Sequence, residues 1–331
     1  NRLAAAAGDF VQRRERADGV RGVLELSGMD TRDELGHLYR SIRQMESDIY
    51  TYIDDLTAVT AEKERIGAEL DVATHIQASM LPCIFPAFPW PIAFTVAEVK
   101  RKFPAFPERP EFDIYASMQP AKEVGGDFYD FFLVDSDHLA IVIADVSGKG
   151  VPAALFMVIA KTLLKDHTQA GINPAEVFSK VNQQLCESND EGMFVTAWMG
   201  VLEISTRHMT FVNAGHNPPL LRKGTDCWEY LKQRSGFVLA GMEGMRYKSG
   251  ELQLSPGDTL YLYTDGVTEA ANSEETLLGE ARLKEILDTA VYDTCEQLLA
   301  VVKNDVEMFV GDEPQFDDIT MLALKLNKGW F

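Results

Sequence analysis

Apolar residues recur at alternating steps of three and four from Leu35 onward. Leu35, Leu38, Ile42, Met45, Ile49, Tyr52, Leu56, Val59, Ile66, Leu70, Ala73 and Met80 share one seam, interrupted by Lys63 and Gln77. No proline falls between Leu35 and Met80, so the pattern predicts one unbroken heptad helix, roughly 70 Å long at about 1.5 Å per residue. Few surface helices keep strict spacing for so long, and a parallel dimeric coiled coil is expected rather than packing of one or two helices on their own domain. Lys63 and Gln77, at a-type positions, would cost stability but fix register.

The periodicity changes at Leu81-Pro82, where the proline disfavours helix in the residue before it. FPAFP then occurs twice, at 85–89 and 103–107, with WPIAFTVAEVKRK between the copies. This proline-rich stretch reads as a linker carrying an insertion, either a tolerated surface duplication or a segment that gates rod against domain. After Glu111 short strands and helices alternate. The run 138–144 (HLAIVIA) is a strand that delivers Asp145, followed by a helix from Val151-Pro152 to about Lys165. The run 259–264 (TLYLYT) delivers Asp265, and Asp317-Asp318 opens a third strand, 319–326.

Charge and cysteine content narrow the function. The formal net charge is −20, which disfavours binding to a phosphate backbone and argues against nucleic acid as a partner. Four cysteines, Cys83, Cys186, Cys227 and Cys295, lie far apart with no CxxC spacing, so neither zinc nor a disulfide framework is indicated and a reduced, cytoplasmic chain is expected. No apolar run approaches the length of a membrane span, and the chain starts at Asn1 without methionine, as expected of a fragment lacking its upstream part.

The stretch 123–132, EVGGDFYDFF, carries a paired glycine before Asp127. It looks like the GGDEF signature of cyclic di-GMP synthases, but Phe128 stands where that signature needs an acid. The glycines are expected to let the backbone turn tightly so that Asp127 faces a site. With Asp145, Asp265 and the 317–318 pair, four acidic positions sit at strand ends beside small residues. Each alone fits turn chemistry. Together, repelling carboxylates call for a cation, and oxygen donors without a His/Cys cluster suit magnesium or manganese. His216 reads as part of a strand-ending turn, His75 as a helix-surface residue, and SGKG lacks Walker A spacing.

EVGGDFYD, ADVSGKG, NAGHNPP (213–219), YTDGVTEA (263–270) and DDIT (317–320) occur in the order found in PPM-type serine/threonine phosphatases of the SpoIIE/RsbU branch. The resemblance covers about two-thirds of the chain, Glu111 to Leu326, and EKERIGAELDVATHIQASMLP is similar to the linker that precedes that domain in RsbU-like proteins. It implies an α+β fold, an αββα sandwich preceded by a long helical coiled-coil linker, with two divalent ions, Mn²⁺ or Mg²⁺, in a cleft. By motif, Asp145 bridges both metals with the Val146 carbonyl as a further ligand. Asp265 and Asp317 hold one ion, and Asp127 binds the other directly or through water; a one-residue shift would put Asp318 in place of Asp317.

The activity implied is metal-dependent hydrolysis of phosphoserine or phosphothreonine by direct attack of an activated water. The implied substrate is a STAS-type anti-sigma-factor antagonist. Larger PPM enzymes grip phosphate with an arginine that has no clear counterpart here, and Lys122 is the candidate substitute, against a simple solvated lysine. AAAAGDF and DELGHL resemble the two helices of a HAMP linker, which implies a dimer below a transmembrane sensor and a parent protein anchored in the cell membrane. The expected domains are thus 1–55 HAMP-like, 56–82 coiled coil, 83–110 junction and 111–331 phosphatase. The alternative is a catalytically silent dimeric scaffold.

Overall fold

The computed structural model describes residues 34–82, 109–187, 189–233 and 236–329. The HAMP-like leader up to Asp33 and both FPAFP copies, with the segment between them, lie outside the described residues. The chain divides into two units, Asn1–Glu69 and Leu70–Phe331.

Helix α1, Glu34–Met80, runs unbroken for 47 residues and stops just before Pro82. On its outer surface Arg65 pairs with both Glu62 and Glu69, the one-turn spacing that supports an isolated helix. The seam residues Leu38, Met45, Ile49, Tyr52, Leu56 and Val59 are all solvent-exposed in the single chain. Among the described residues no helix is long and apolar enough to cross a membrane.

In the second unit two antiparallel five-stranded sheets face each other. One has the order β1 (Phe112–Gln119), β10 (Ile319–Leu326), β9 (Thr259–Tyr263), β6 (Leu220–Arg222), β7 (Glu229–Tyr230). The other runs β2 (Phe128–Leu133), β3 (His138–Val146), β4 (Val195–Glu203), β5 (His208–Ala214), β8 (Gly250–Gln253). Helices α2 (Val151–His167) and α3 (Pro174–Glu187) cover the second sheet; α5 (Gly279–Thr289) and α6 (Cys295–Val310) cover the first. A single turn, α4 (Asp265–Thr268), follows β9.

Both faces of each sheet are therefore buried, which is why the central strands read as near-continuous apolar runs. Strand alternation sends Leu260, Leu262, Leu322 and Leu324 into the core between the sheets. It sends Tyr261, Tyr263, Met321 and Ala323 against α5 and α6. Helix α6 is started by a capping box, with Thr294 and Gln297 each satisfying the other's backbone N–H.

Two element ends differ from expectation. Strand β3 continues to Val146 because Asp145 and Val146 still pair with Thr196 and Val195 of β4, so Asp145 lies within the strand rather than after it. Strand β9 stops at Tyr263, and Thr264 caps α4 instead.

Candidate active site

The loop before β2, the end of β3, the start of α4 and the loop before β10 meet at one end of the sandwich. Asp127 is buried there, its Oδ2 accepting a hydrogen bond of 2.7 Å from the Thr264 hydroxyl. Asp145 comes from β3, and Asp265 is the first residue of α4. Asp317 and Asp318 point to different tasks. Asp318 is buried, and its carboxylate accepts backbone N–H bonds from Ala121 at 2.8 Å, Gly126 at 2.8 Å and Asp127 at 3.3 Å. Asp317 is more exposed; its Oδ1 accepts the Asp318 N–H and its Oδ2 lies 2.9 Å from Lys149 Nζ.

The paired glycines have a different cause from the tight turn expected of them. Neither Gly125 nor Gly126 has a positive φ; what each provides is space. A Cβ on Gly125 would collide with the Asp318 carboxylate, and one on Gly126 would come 2.8 Å from the Val146 carbonyl oxygen. The glycines thus let the loop lie directly on its brace and on β3. In ADVSGKG the glycines are conformational: Gly148 and Gly150 have φ of 93° and 78°, the left-handed region that side chains disfavour.

Burial and mutual repulsion raise the carboxyl pKa values together. Desolvation, then the charges of Asp265, Asp317 and Asp318, push Asp145 up to about 7. Desolvation, then Glu269 and Asp317, push Asp265 up to about 6. Asp127 is raised well above the ordinary range by burial and by its neighbours Asp145 and Asp318. The donors are all oxygen, and their repulsion is what a hard divalent cation relieves, so the residues fit magnesium or manganese. Among the described residues, however, no group of three His, Cys, Asp or Glu is already gathered into a ready coordination shell.

Sequence reasoning missed two residues here. Lys149 bonds the Phe316 carbonyl at 2.6 Å and lies 3.8 Å from the centre of the Phe316 ring, besides pairing with Asp317. A lysine between two glycines beside a candidate ligand was the available signal. Lys122, by contrast, is exposed. Gln77, expected to set coiled-coil register, is buried against the catalytic unit: its amide donates to the Gly125 carbonyl at 2.6 Å and accepts the Gly125 N–H at 3.2 Å. One turn earlier Thr74 donates to the Glu123 carbonyl at 2.6 Å. The signal was a polar residue on an apolar seam one turn before the helix end. His216 is buried with its pKa pushed down to about 4 by desolvation, so its ring is neutral, while its backbone is held by Asn213.

An αββα sandwich with an oxygen-only acidic cluster at one end defines a class, the PP2C-like phosphatase fold, and comparison with known proteins gives the family. The profile described as Stage II sporulation protein E (SpoIIE) matches residues 135–327. The chain is 31% identical over 265 residues to the phosphoserine phosphatase RsbU of Bacillus subtilis, covering 80% of this chain and 71% of that protein. It is also 31% identical over 325 residues to IcfG of Synechocystis, covering 89% of this chain but only 46% of that protein. Among solved structures, the SiaA PP2C domain of Pseudomonas aeruginosa superposes with a TM-score of 0.64 at 24% identity, over 81% of this chain and 99% of that one, which supports the fold. The chain belongs to the SpoIIE/RsbU family of PPM-type serine/threonine phosphatases.

Proposed function

We propose that this chain is a divalent-metal-dependent protein phosphatase that removes phosphate from serine or threonine of a STAS-domain regulator in bacterial signalling. The observation that carries this reading is the meeting of Asp127, Asp145, Asp265 and Asp317 at one end of the sandwich, each from a different motif of the family. In this reading Asp145 would be the shared ligand with the Val146 carbonyl as a further one, Asp265 and Asp317 would hold one ion, and Asp127 would serve the other. Asp318 is the brace, since its carboxylate is already committed to three backbone N–H groups. The bound ions supply a water of lowered pKa and stabilise charge on the phosphoryl oxygens. Lys149 offsets part of the negative charge that would otherwise repel the phosphoryl dianion.

The test is phosphate release from a phosphorylated STAS-domain protein in Mn²⁺, Mg²⁺ or chelator, with Asp145→Ala alongside. Metal-dependent release, lost in Asp145→Ala by a factor of about 10² or more, is expected. Metal-independent release, or an active Asp145→Ala, would overturn the ligand assignment; a parent inert toward every phosphoester would favour the silent scaffold.

The same reading extends to control. The end of α1 holds the metal-site loop through Gln77 and Thr74, so a shift of the helix moves the Gly125 backbone, two residues before Asp127. Replacing Gln77 with alanine is expected to speed amide exchange at Gly125 by roughly tenfold, as local opening loses one restraint. Unchanged exchange there would show that the helix end does not hold the loop.

A further inference from the structure

A groove of about 1170 Å³ opens between α6 and the outward face of β1 and β10. Gly266 and Asp317 form one wall, so the groove is continuous with the candidate active site. Leu299, Val306, Ile319 and Met321 give it an apolar lining. Leu277 and Phe316, also among its lining residues, remain 55% and 72% exposed and add apolar surface at its mouth.

The charged lining is one-sided. Glu269, Glu275, Glu296, Glu307, Glu313 and Asp317 line it with one basic residue, Lys303, which is itself 3.7 Å from Glu307; Lys149, outside the lining, offsets part of the Asp317 charge from 2.9 Å. Six acids to one base is a far stronger skew than the 51 to 31 of the whole chain, so the groove is not merely sharing the protein's overall charge.

We propose that this groove binds the segment of the phosphoprotein substrate adjoining its phosphorylated residue, and that it selects segments carrying apolar side chains together with lysine or arginine. The proposal rests on the phosphatase reading and deepens it. Continuity with Asp317 places the occupant next to the reacting phosphate, the apolar lining takes its hydrophobic side chains, and the acidic lining complements its positive charge. Such a flank also offsets the repulsion between a phosphoryl dianion and a chain of net charge −20.

The probe is a phosphoserine 15-mer with leucines and arginines beside the phosphoserine, compared with versions in which glutamate replaces arginine or alanine replaces leucine. Hydrolysis and fluorescence-anisotropy binding are both measured with Mn²⁺ on the full chain. Ala300 lies on the exposed side of α6 at the groove, so Ala300→Trp narrows it without disturbing the core. The parent is expected to favour the basic, apolar peptide by roughly tenfold in kcat/KM, and Ala300→Trp to erase that preference through KM.

p-Nitrophenyl phosphate, too small to reach along the groove, reports separately on the catalytic site. Turnover of that ester with no discrimination among the peptides overturns the groove while leaving the phosphatase standing. If the ester is not turned over the phosphatase reading fails, and anisotropy then decides the groove: binding of the basic peptide that Ala300→Trp abolishes supports it, and no binding overturns it. Tighter peptide binding on deletion of residues 90–107, whose VKRK stretch is itself basic beside apolar residues, would identify the chain's own segment as the occupant and overturn the assignment to substrate.

Discussion

At the scale of single residues, the aspartates of this site are held in place against their own repulsion. Asp145 and Asp265 carry pKa values raised to about 7 and about 6, above those of the unfolded chain. Between about pH 4 and pH 7 these two carboxyls bind more protons in the folded, metal-free protein than in the unfolded one; His216, pushed down to about 4, acts in the opposite direction but is outweighed, so the net contribution to stability falls as pH rises. Thermal melts in chelator are expected to show a lower midpoint at pH 7.5 than at pH 5. Added Mn²⁺ should raise the midpoint more at the higher pH, where the carboxylates are ionised. A chelated protein whose melting point rises steadily from pH 5 to 7.5 would contradict the crowding of these groups.

These aspartates were legible in the sequence because each sits in a short motif with glycine or at the end of an apolar run. Asp318 was not separable from Asp317 by spacing alone. Its partner, the amide of Ala121, lies 197 residues away, and only the pairing of β1 with β10 brings the two together.

At the scale of elements, the strand and helix runs were readable because apolar patterning marks them directly, while their ends depended on neighbours. Strand β3 gained two residues because β4 pairs with them. Gln77 looked like a register residue on the rod because a polar residue on an apolar seam fits that role as well as it fits contact with a loop 48 residues away, and spacing does not separate the two. The same limit hid the ion pair beneath α2, where Lys161 is buried and bonded to Asp130 of β2. Burial lowers the Lys161 pKa while Asp130 opposes that shift; Lys161 and, at 3.7 Å, Lys165 both approach Asp130 Oδ2, while Oδ1 has no hydrogen-bond partner among the described residues.

Breaking one half of such a pair leaves a buried charge. Lys161→Met is expected to cost about 3–5 kcal/mol, and Lys161→Met with Asp130→Leu to recover most of it, since an apolar pair avoids the desolvation altogether. Urea denaturation of the two variants distinguishes this from a pair that contributes nothing, for which the single variant would lose under 1 kcal/mol, about the value of an exposed pair.

At the scale of the whole molecule, α1 leaves a long apolar seam exposed in the single chain. A second copy laid parallel would bury it, and the parent is expected to sediment as a dimer at micromolar concentration. Two charges on the seam, Leu56→Asp with Val59→Asp, should give monomers. A parent that sediments as a monomer would overturn the parallel coiled coil expected from the heptad seam while leaving the catalytic unit untouched.

The brace formed by Asp318 also sets a time at which the enzyme can exist. The loop that carries Asp127 is near the front of the catalytic unit, yet the carboxylate that shapes it arrives with the last strand, at residue 318. A chain emerging from the ribosome from its N-terminus can complete α1 and the β2–β3 hairpin early, but the acidic cluster closes only when β10 slots between β1 and β9. Without β10 the strands β1 and β9 lose the partner that joins them and the Asp127 loop loses its brace, so a chain truncated before residue 317 is expected to lack the acidic cluster.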